Sequence, residues 1–368
     1  MKTDKIKKIL KITVCTLLAL IVLFTATTFV IHSVQSNKEI EKLKEQGYYN
    51  PVSVGDYSLN VAKFGNENGI HTIIGIAGLG SGDFAVTARQ MTAELEKDNL
   101  VVYVDRAGYG FSDDTDNDMT LEYIVEDYRK ALKNAGIQAP YVLMPHSIGG
   151  AYANYWASNY PDEIEGIMFV DGSQLCDTAF EEEPAAEVNL GDRTLALLAK
   201  AGFSRYALRN FSYLYPDNYS EEEQYLGDAL TYMTLDSIAP ISEAGKLAEN
   251  SQKAFKGIVT NDIPKLYISS SWGIQTKEEM VELNEWMNRQ IEKNNLGSPL
   301  EPIDTDNDEQ LNKTLESFEK SRQEVIYPYA EKMGNCEVVC LGGDHMIYMQ
   351  KPEACSEILM SFIDKLDK

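Results

Sequence analysis

The sequence predicts an α/β protein: a mostly parallel sheet with helices on both faces, a helical cap insertion, and an N-terminal transmembrane helix. Three observations predict it. Short continuous apolar runs alternate with amphipathic stretches, the interval from 173 to 263 holds helical pattern without a strand, and the chain opens on an uncharged run of bilayer length. With 44% hydrophobic and 24% charged residues over 368 positions, the chain can bury a full core. Its 33 Lys and Arg against 57 Asp and Glu give a net charge of −24, which argues against nucleic acid as a partner because phosphate contacts need clustered cations. Five cysteines without a Cys-x-x-Cys pair disfavour a disulfide framework and a structural zinc site, and no metal or cofactor is expected.

Residues 1–32 form the first segment. Lys2, Lys5, Lys7, Lys8 and Lys11 precede an uncharged run from Ile12 to Ile31, and twenty helical residues at about 1.5 Å each span roughly 30 Å, one bilayer core. The run is longer than the apolar region of a cleaved signal peptide and ends in Phe29, Val30 and Ile31 rather than in a small-residue site, so an uncleaved anchor is expected. Lysines held inside put the rest of the chain on the extracytoplasmic side of the cell membrane. Residues 33–50, rich in Lys and Glu, read as a polar helical stalk.

The domain proper begins near Pro51. A hairpin is expected from Pro51 to Val61 around the Gly55-Asp56 turn. Strands follow at Thr72–Ile76, Leu100–Val104, Tyr141–Met144, Gly166–Val170, Lys265–Ser269 and Glu337–Leu341, with helices at Ala85–Asp98, Thr120–Ala135, Gly149–Asn159 and Pro352–Leu366. Helical stretches at Arg193–Ala201, Glu221–Tyr232 and Ile241–Phe255 mark residues 176–262 as a cap, leaving a core in two parts, 51–175 and 263–368. Two further helices, Lys277–Lys293 and Asp308–Met333, interrupt the second part.

Chemistry concentrates where one strand ends, at Tyr141-Val142-Leu143-Met144-Pro145-His146-Ser147-Ile148-Gly149-Gly150. An apolar strand running into a serine flanked by small residues and then into a helix is the setting of a nucleophile elbow. The turn points the Ser147 hydroxyl out over the sheet, Gly149 lets the helix pass close to the strand, and the Ile148 N–H at the positive helix start can face an oxyanion. Pro145 stands where the usual Gly-x-Ser-x-Gly pattern has its first glycine.

With these residues the chain resembles the α/β-hydrolase superfamily, and is similar to its bacterial serine esterases and lactonases. The resemblance covers residues 51–175 and 263–368. Ile76-Ala77-Gly78-Leu79-Gly80 resembles the family's His-Gly-x-Gly loop, with Ala77 in place of His, and implies the Leu79 N–H as the second oxyanion donor. Asp105-Arg106-Ala107-Gly108-Tyr109-Gly110-Phe111-Ser112 resembles the turn that supports that loop. A serine needs a general base. Of the four histidines, His32 lies at the membrane boundary, His71 opens an early strand, and His146 neighbours the nucleophile and points away. His345, after the last strand and a Gly342-Gly343-Asp344 turn, matches the family's Gly-x-x-His position. Most members carry the triad acid after the strand matching Lys265–Ser269, where this chain offers no carboxylate before Glu278. A minority arrangement places it after the preceding strand, which here ends in Asp171; Glu278, Glu279 and Asp304 stay as alternatives.

The expected activity is a membrane-anchored serine hydrolase acting on a small-molecule ester, thioester, lactone or lipid-like substrate through Ser147, His345 and Asp171. Alternatives are a peptidase or acyltransferase of the same superfamily, or an inactive surface protein that kept the fold for ligand binding or interaction. The Asp114/Asp116/Asp118 and Asp304/Asp306/Asp308 runs have calcium-loop spacing but lack its Gly and final Glu, and read as solvated turns. Cap aromatics (Phe203, Tyr206, Phe211, Tyr213, Tyr215, Tyr225, Tyr232) are expected either to line an acyl pocket or to form the cap core.

Overall fold

The computed structural model describes every residue except 1, 184, 208–214, 295–296, 306 and 368. Among these residues, eight strands form one sheet in the order β1-β2-β4-β3-β5-β6-β7-β8: β1 (Pro51–Ser53), β2 (Ser58–Gly65), β3 (Thr72–Ile76), β4 (Leu100–Val104), β5 (Tyr141–Ser147), β6 (Ile164–Gly172), β7 (Lys265–Ser269) and β8 (Cys336–Cys340). The β1–β2 and β2–β4 ladders are antiparallel; β3 through β8 are joined to one another by parallel ladders. From β3 the chain first steps outward to β4, then crosses back so that β5 lies on the other side of β3. That reversal opens a crevice at the carboxyl ends of β3 and β5, where ligands bind in open α/β sheets.

The helices are α1 (Lys2–Glu45), α2 (Phe84–Thr87), α3 (Arg89–Thr92), α4 (Leu121–Asn134), α5 (Gly149–Asn159), α6 (Leu190–Lys200), α7 (Ser204–Ala207), α8 (Glu221–Leu235), α9 (Ala239–Gly245), α10 (Leu247–Lys256), α11 (Lys277–Asn294), α12 (Asp308–Ser321), α13 (Tyr327–Met333), α14 (Ile347–Gln350) and α15 (Pro352–Leu366). Alternate residues of the central strands feed two cores. Ile74, Val102, Leu143 and Ile167 pack with α4 and α5 around the fully buried Trp156, while Ile73, Val101, Val142 and Met168 face α2, α3 and α15. The period-2 alternation of a strand, apolar at both phases, is why these strands read as continuous apolar runs.

Three expectations change in detail. The anchor and stalk are one continuous 44-residue helix, α1, because nothing between Ile31 and Glu45 breaks helical geometry. The helix expected over Ala85–Asp98 splits into α2, α3 and a 3₁₀ turn at Leu95–Lys97, with α2 packing on α8 and α3 on α15. The one expected over Ile241–Phe255 divides at Lys246 into α9 and α10.

Candidate active site

The backbone at Ser147 has φ 52°, the left-handed region that costs a non-glycine residue strain and that turns its side chain out of the strand. The turn is tight because α5 starts at once: a Cβ on Gly149 would lie 2.6 Å from the Ile76 carbonyl oxygen. Gly78 is held as closely, since a Cβ there would meet His146 Nδ1 at 2.9 Å and Ser147 Cβ at 3.0 Å. The loop carrying Leu79 therefore passes beside Ser147, and Ile148 is buried beneath it at the head of α5.

Arg106 fixes that loop. Its guanidinium donates to the carbonyls of Ala77 (2.7 Å) and Gly78 (2.8 Å) and to Glu243 of α9 (3.0 Å), and the Tyr109 hydroxyl accepts from the Gly80 N–H at 3.1 Å. Arg106 and Glu243 are both buried, so each charge depends on the other. Glu243 also accepts from the Tyr152 hydroxyl of α5 at 2.5 Å. The resemblance marked the Asp105–Ser112 turn as a support; the arginine clamp and its cap partner appear only once the chain is folded.

His345 follows β8 in the Gly342-Gly343-Asp344 loop, and its Nδ1 lies 2.7 Å from Asp171 Oδ2. Asp171, at the end of β6 with φ 41°, is fully buried. Its carboxylate also accepts from the Ser270 N–H (2.7 Å) and the Ser271 hydroxyl (2.9 Å). Burial alone would raise the Asp171 pKa, but the His345 ring and these donors hold it below the ordinary carboxylate value. The ring's own partial burial disfavours its charge, and the Asp171 carboxylate more than reverses that, raising the His345 pKa. The Ser270-Ser271 position after β7, which carries no carboxylate, supplies donors to Asp171 instead. Of the alternative acids, Glu279 accepts from the Gln275 and Thr276 N–H groups at the head of α11, and Glu278 and Asp304 are exposed; none of the three lines the cavity described next.

Ser147, Leu79 and His345 line one cavity of about 380 Å³. Its wall is mainly apolar: Trp286, Met287 and Ile291 from α11, and Met346 and Met349 beside α14. None of the described cap aromatics contributes. Tyr215 instead donates to Asp83 and packs on Tyr219, Tyr225 and Tyr232 sit under Lys42 and Arg205, Phe203 meets Phe24 edge to face, and Tyr206 is exposed. Phe211 and Tyr213 lie outside the described residues. The wall comes from the second insertion rather than the first: α11 follows the 270–276 loop that leaves β7, two strands from β5 in the sheet.

Two roles escaped the sequence reading. His146 does point away from the hydroxyl, but its ring stacks on Phe84 and His345, and its Nε2–H donates to the His345 carbonyl at 3.1 Å. Burial, then the neighbouring His345, push its pKa down to about 3, so it stays a neutral spacer beside the loop that carries His345. The Asp114/Asp116/Asp118 run is not merely solvated. Asp114 accepts from the N–H groups of Ile238 and Ala239 at the start of α9, Asp116 pairs with Arg193 of α6 at 2.6 Å, and Asp118 lies 3.5 Å from Lys246, so the run fastens the cap helices. Asp306 lies outside the described residues.

Comparison with known proteins agrees with this architecture. The family model for the α/β-hydrolase fold matches residues 73–217. An uncharacterised protein of Bacillus subtilis, YbdG, is 38% identical over 164 residues, 45% of this chain and 49% of its own length, so the match spans about half of that relative. Among solved structures, the haloalkane dehalogenase DatA of Agrobacterium tumefaciens superposes with a TM-score of 0.54 at 15% identity, covering 86% of this chain and 96% of that one. A carboxylesterase structure from the thaumarchaeon Nitrososphaera gargenis gives 0.52 at 14% identity, covering 86% and 99%. These likenesses assign the α/β-hydrolase fold to the chain.

Proposed function

We propose that this chain is a membrane-anchored serine hydrolase that cleaves a carboxylic ester, thioester or lactone through an acyl-enzyme. The observation that carries the reading is the convergence at one cavity of a serine on a positive-φ turn and a histidine bonded to a buried carboxylate. Because Nδ1 of His345 is engaged with Asp171, Nε2 is the nitrogen that takes the Ser147 proton as Oγ attacks the carbonyl carbon. The tetrahedral oxyanion is held by the N–H groups of Leu79 and Ile148, on a loop that Arg106 keeps from shifting. Collapse expels the alkoxide or thiolate, which leaves with the proton from His345 where it needs one. Water then attacks the acyl-serine with His345 as base, and the acid departs. The apolar wall favours an apolar acyl or alcohol group over a charged one.

Helix α1 serves as the anchor: it is long and apolar enough to cross a bilayer, its apolar stretch is almost wholly unburied, and the lysines at its start favour the cytoplasmic side. The domain then works on the extracytoplasmic face.

Labelling of the full chain in detergent with a fluorophosphonate probe tests the chemistry, together with turnover of chromogenic esters of graded acyl length. Wild type should label and hydrolyse, Ser147→Ala should do neither while unfolding at the same temperature, and retained turnover in that variant would exclude Ser147 as nucleophile.

A further inference from the structure

Helix α6 is built inside out. Of its eleven residues, Ala196 and Ala199 face the protein, while Leu190, Leu195 and Leu197 are 81%, 65% and 67% exposed and Leu198 is 40% exposed. A surface helix normally turns its leucines inward, and soluble proteins rarely leave such a patch in water.

Where α6 sits explains what covers it. The turn that ends it touches α1: a Cβ on Gly202 (φ 86°) would lie 2.6 Å from His32 Cβ and 2.8 Å from the Thr28 carbonyl oxygen, and the Phe203 ring meets Phe24 at 5.7 Å. One turn further on, the Arg205 guanidinium bonds His32 Nδ1 (2.8 Å), Ser36 Oγ (3.0 Å) and both carboxylate oxygens of Glu39 (2.8 and 2.6 Å). His32 Nε2 in turn lies 3.3 Å from Asp236 at the end of α8. Thr28, His32, Ser36, Glu39 and Leu43 recur at helical spacing, so one stripe of α1 is fastened to the cap along its length. The attachment begins at Phe24, seven residues before the uncharged run ends at Ile31, which is roughly 10 Å below its end at 1.5 Å per residue. Helix α6 itself ends beside Thr28 and His32, at the outer end of that run.

We propose that α6 is a second membrane-contacting element, lying in the outer interface of the lipid bilayer beside the anchor with its leucines in the acyl region. The inference rests on α1 being a transmembrane anchor. Eleven residues are too short to span a bilayer but suit an interfacial helix, which buries its apolar face several ångströms into the headgroup boundary. Lys200 at its end and the exposed Tyr206 beyond it are side chains that settle at such a boundary. With a net charge of −24 the chain gains nothing from anionic lipid, so the contact is apolar and forms on zwitterionic membranes.

The test uses the full chain in phosphatidylcholine nanodiscs, with an environment-sensitive fluorescent amino acid placed singly at positions 20, 190, 197 and 313, and lipids carrying a nitroxide at a shallow or a deep acyl position. Position 20 should be quenched by the deep nitroxide, positions 190 and 197 several-fold more by the shallow nitroxide than position 313 on α12, and position 313 by neither. If position 20 is quenched while 190 and 197 behave like 313, as they would with a second copy of the chain covering the leucines, the proposal is overturned and the anchor stands. If position 20 is not quenched, the anchor reading falls and takes this proposal with it.

Discussion

Helices α5 and α6 have the same length, eleven residues, and both mix small and apolar side chains, yet they solve opposite problems. In α5 eight residues are buried, and Gly149 lets the helix start pass close to the end of β3 beside Ser147. In α6 the small residues face the protein and the leucines face out. The first helix is shaped by close approach to the sheet, whereas the second turns its large apolar side chains away from the protein. Hydrophobicity along a sequence therefore does not state which medium will cover it.

Changes on the α5 side should strike turnover and those on the α6 side should strike docking. The largest effect is expected at Asp171. Asp171→Asn should lower kcat for a soluble ester by about 10⁴-fold through loss of the imidazole tautomer that Asp171 selects; a loss of only a few-fold, with Glu278→Gln inactive, would move the acid to the later strand. The same pair sets the pH profile. His345 must be neutral to accept the serine proton, and Asp171 raises its pKa, so kcat/KM should fall with acidity through a midpoint above the ordinary imidazole value of about 6.5. A midpoint below that value would argue against the pairing.

Next in size is Arg205→Ala. It strands Glu39, 1% exposed, without its guanidinium and should cost about 3–5 kcal/mol of cap docking, read as a protease-sensitive 176–262 segment with unchanged hydrolysis of a small soluble ester. Equal loss of turnover would show that the cap attachment and the site are coupled, dissolving the contrast. Gly149→Ala should cost about 1–3 kcal/mol in urea unfolding, because its methyl meets the Ile76 carbonyl. On the other helix, Leu197→Ala in detergent should stay within about 0.5 kcal/mol, and a loss comparable to Gly149→Ala would mean that Leu197 packs on protein after all.

The strand runs, the elbow at Ser147 and the helix Gly149–Asn159 were legible because each depends on neighbours in sequence: alternation, a strained turn, a small residue two places on. His345 was legible by its glycine-rich loop. What the sequence could not state was anything requiring two distant segments at once. The hydrogen bond that His345 Nδ1–H donates to Asp171 joins residues 174 apart, the Arg106–Glu243 clamp joins a core loop to the cap, and the cavity wall came from α11 rather than from the cap aromatics. The outward leucines of α6 belong to the same class. By itself the sequence determined the sheet, the turn that carries Ser147 and a helix long enough to cross a bilayer, since short-range sterics and hydrophobic period decide these. Only the tertiary structure decided the Asp171–His345 bond, the cavity wall and the stretch of α1 that residues 176–262 meet, because partners far apart in the chain become neighbours only when the sheet and its insertions have packed.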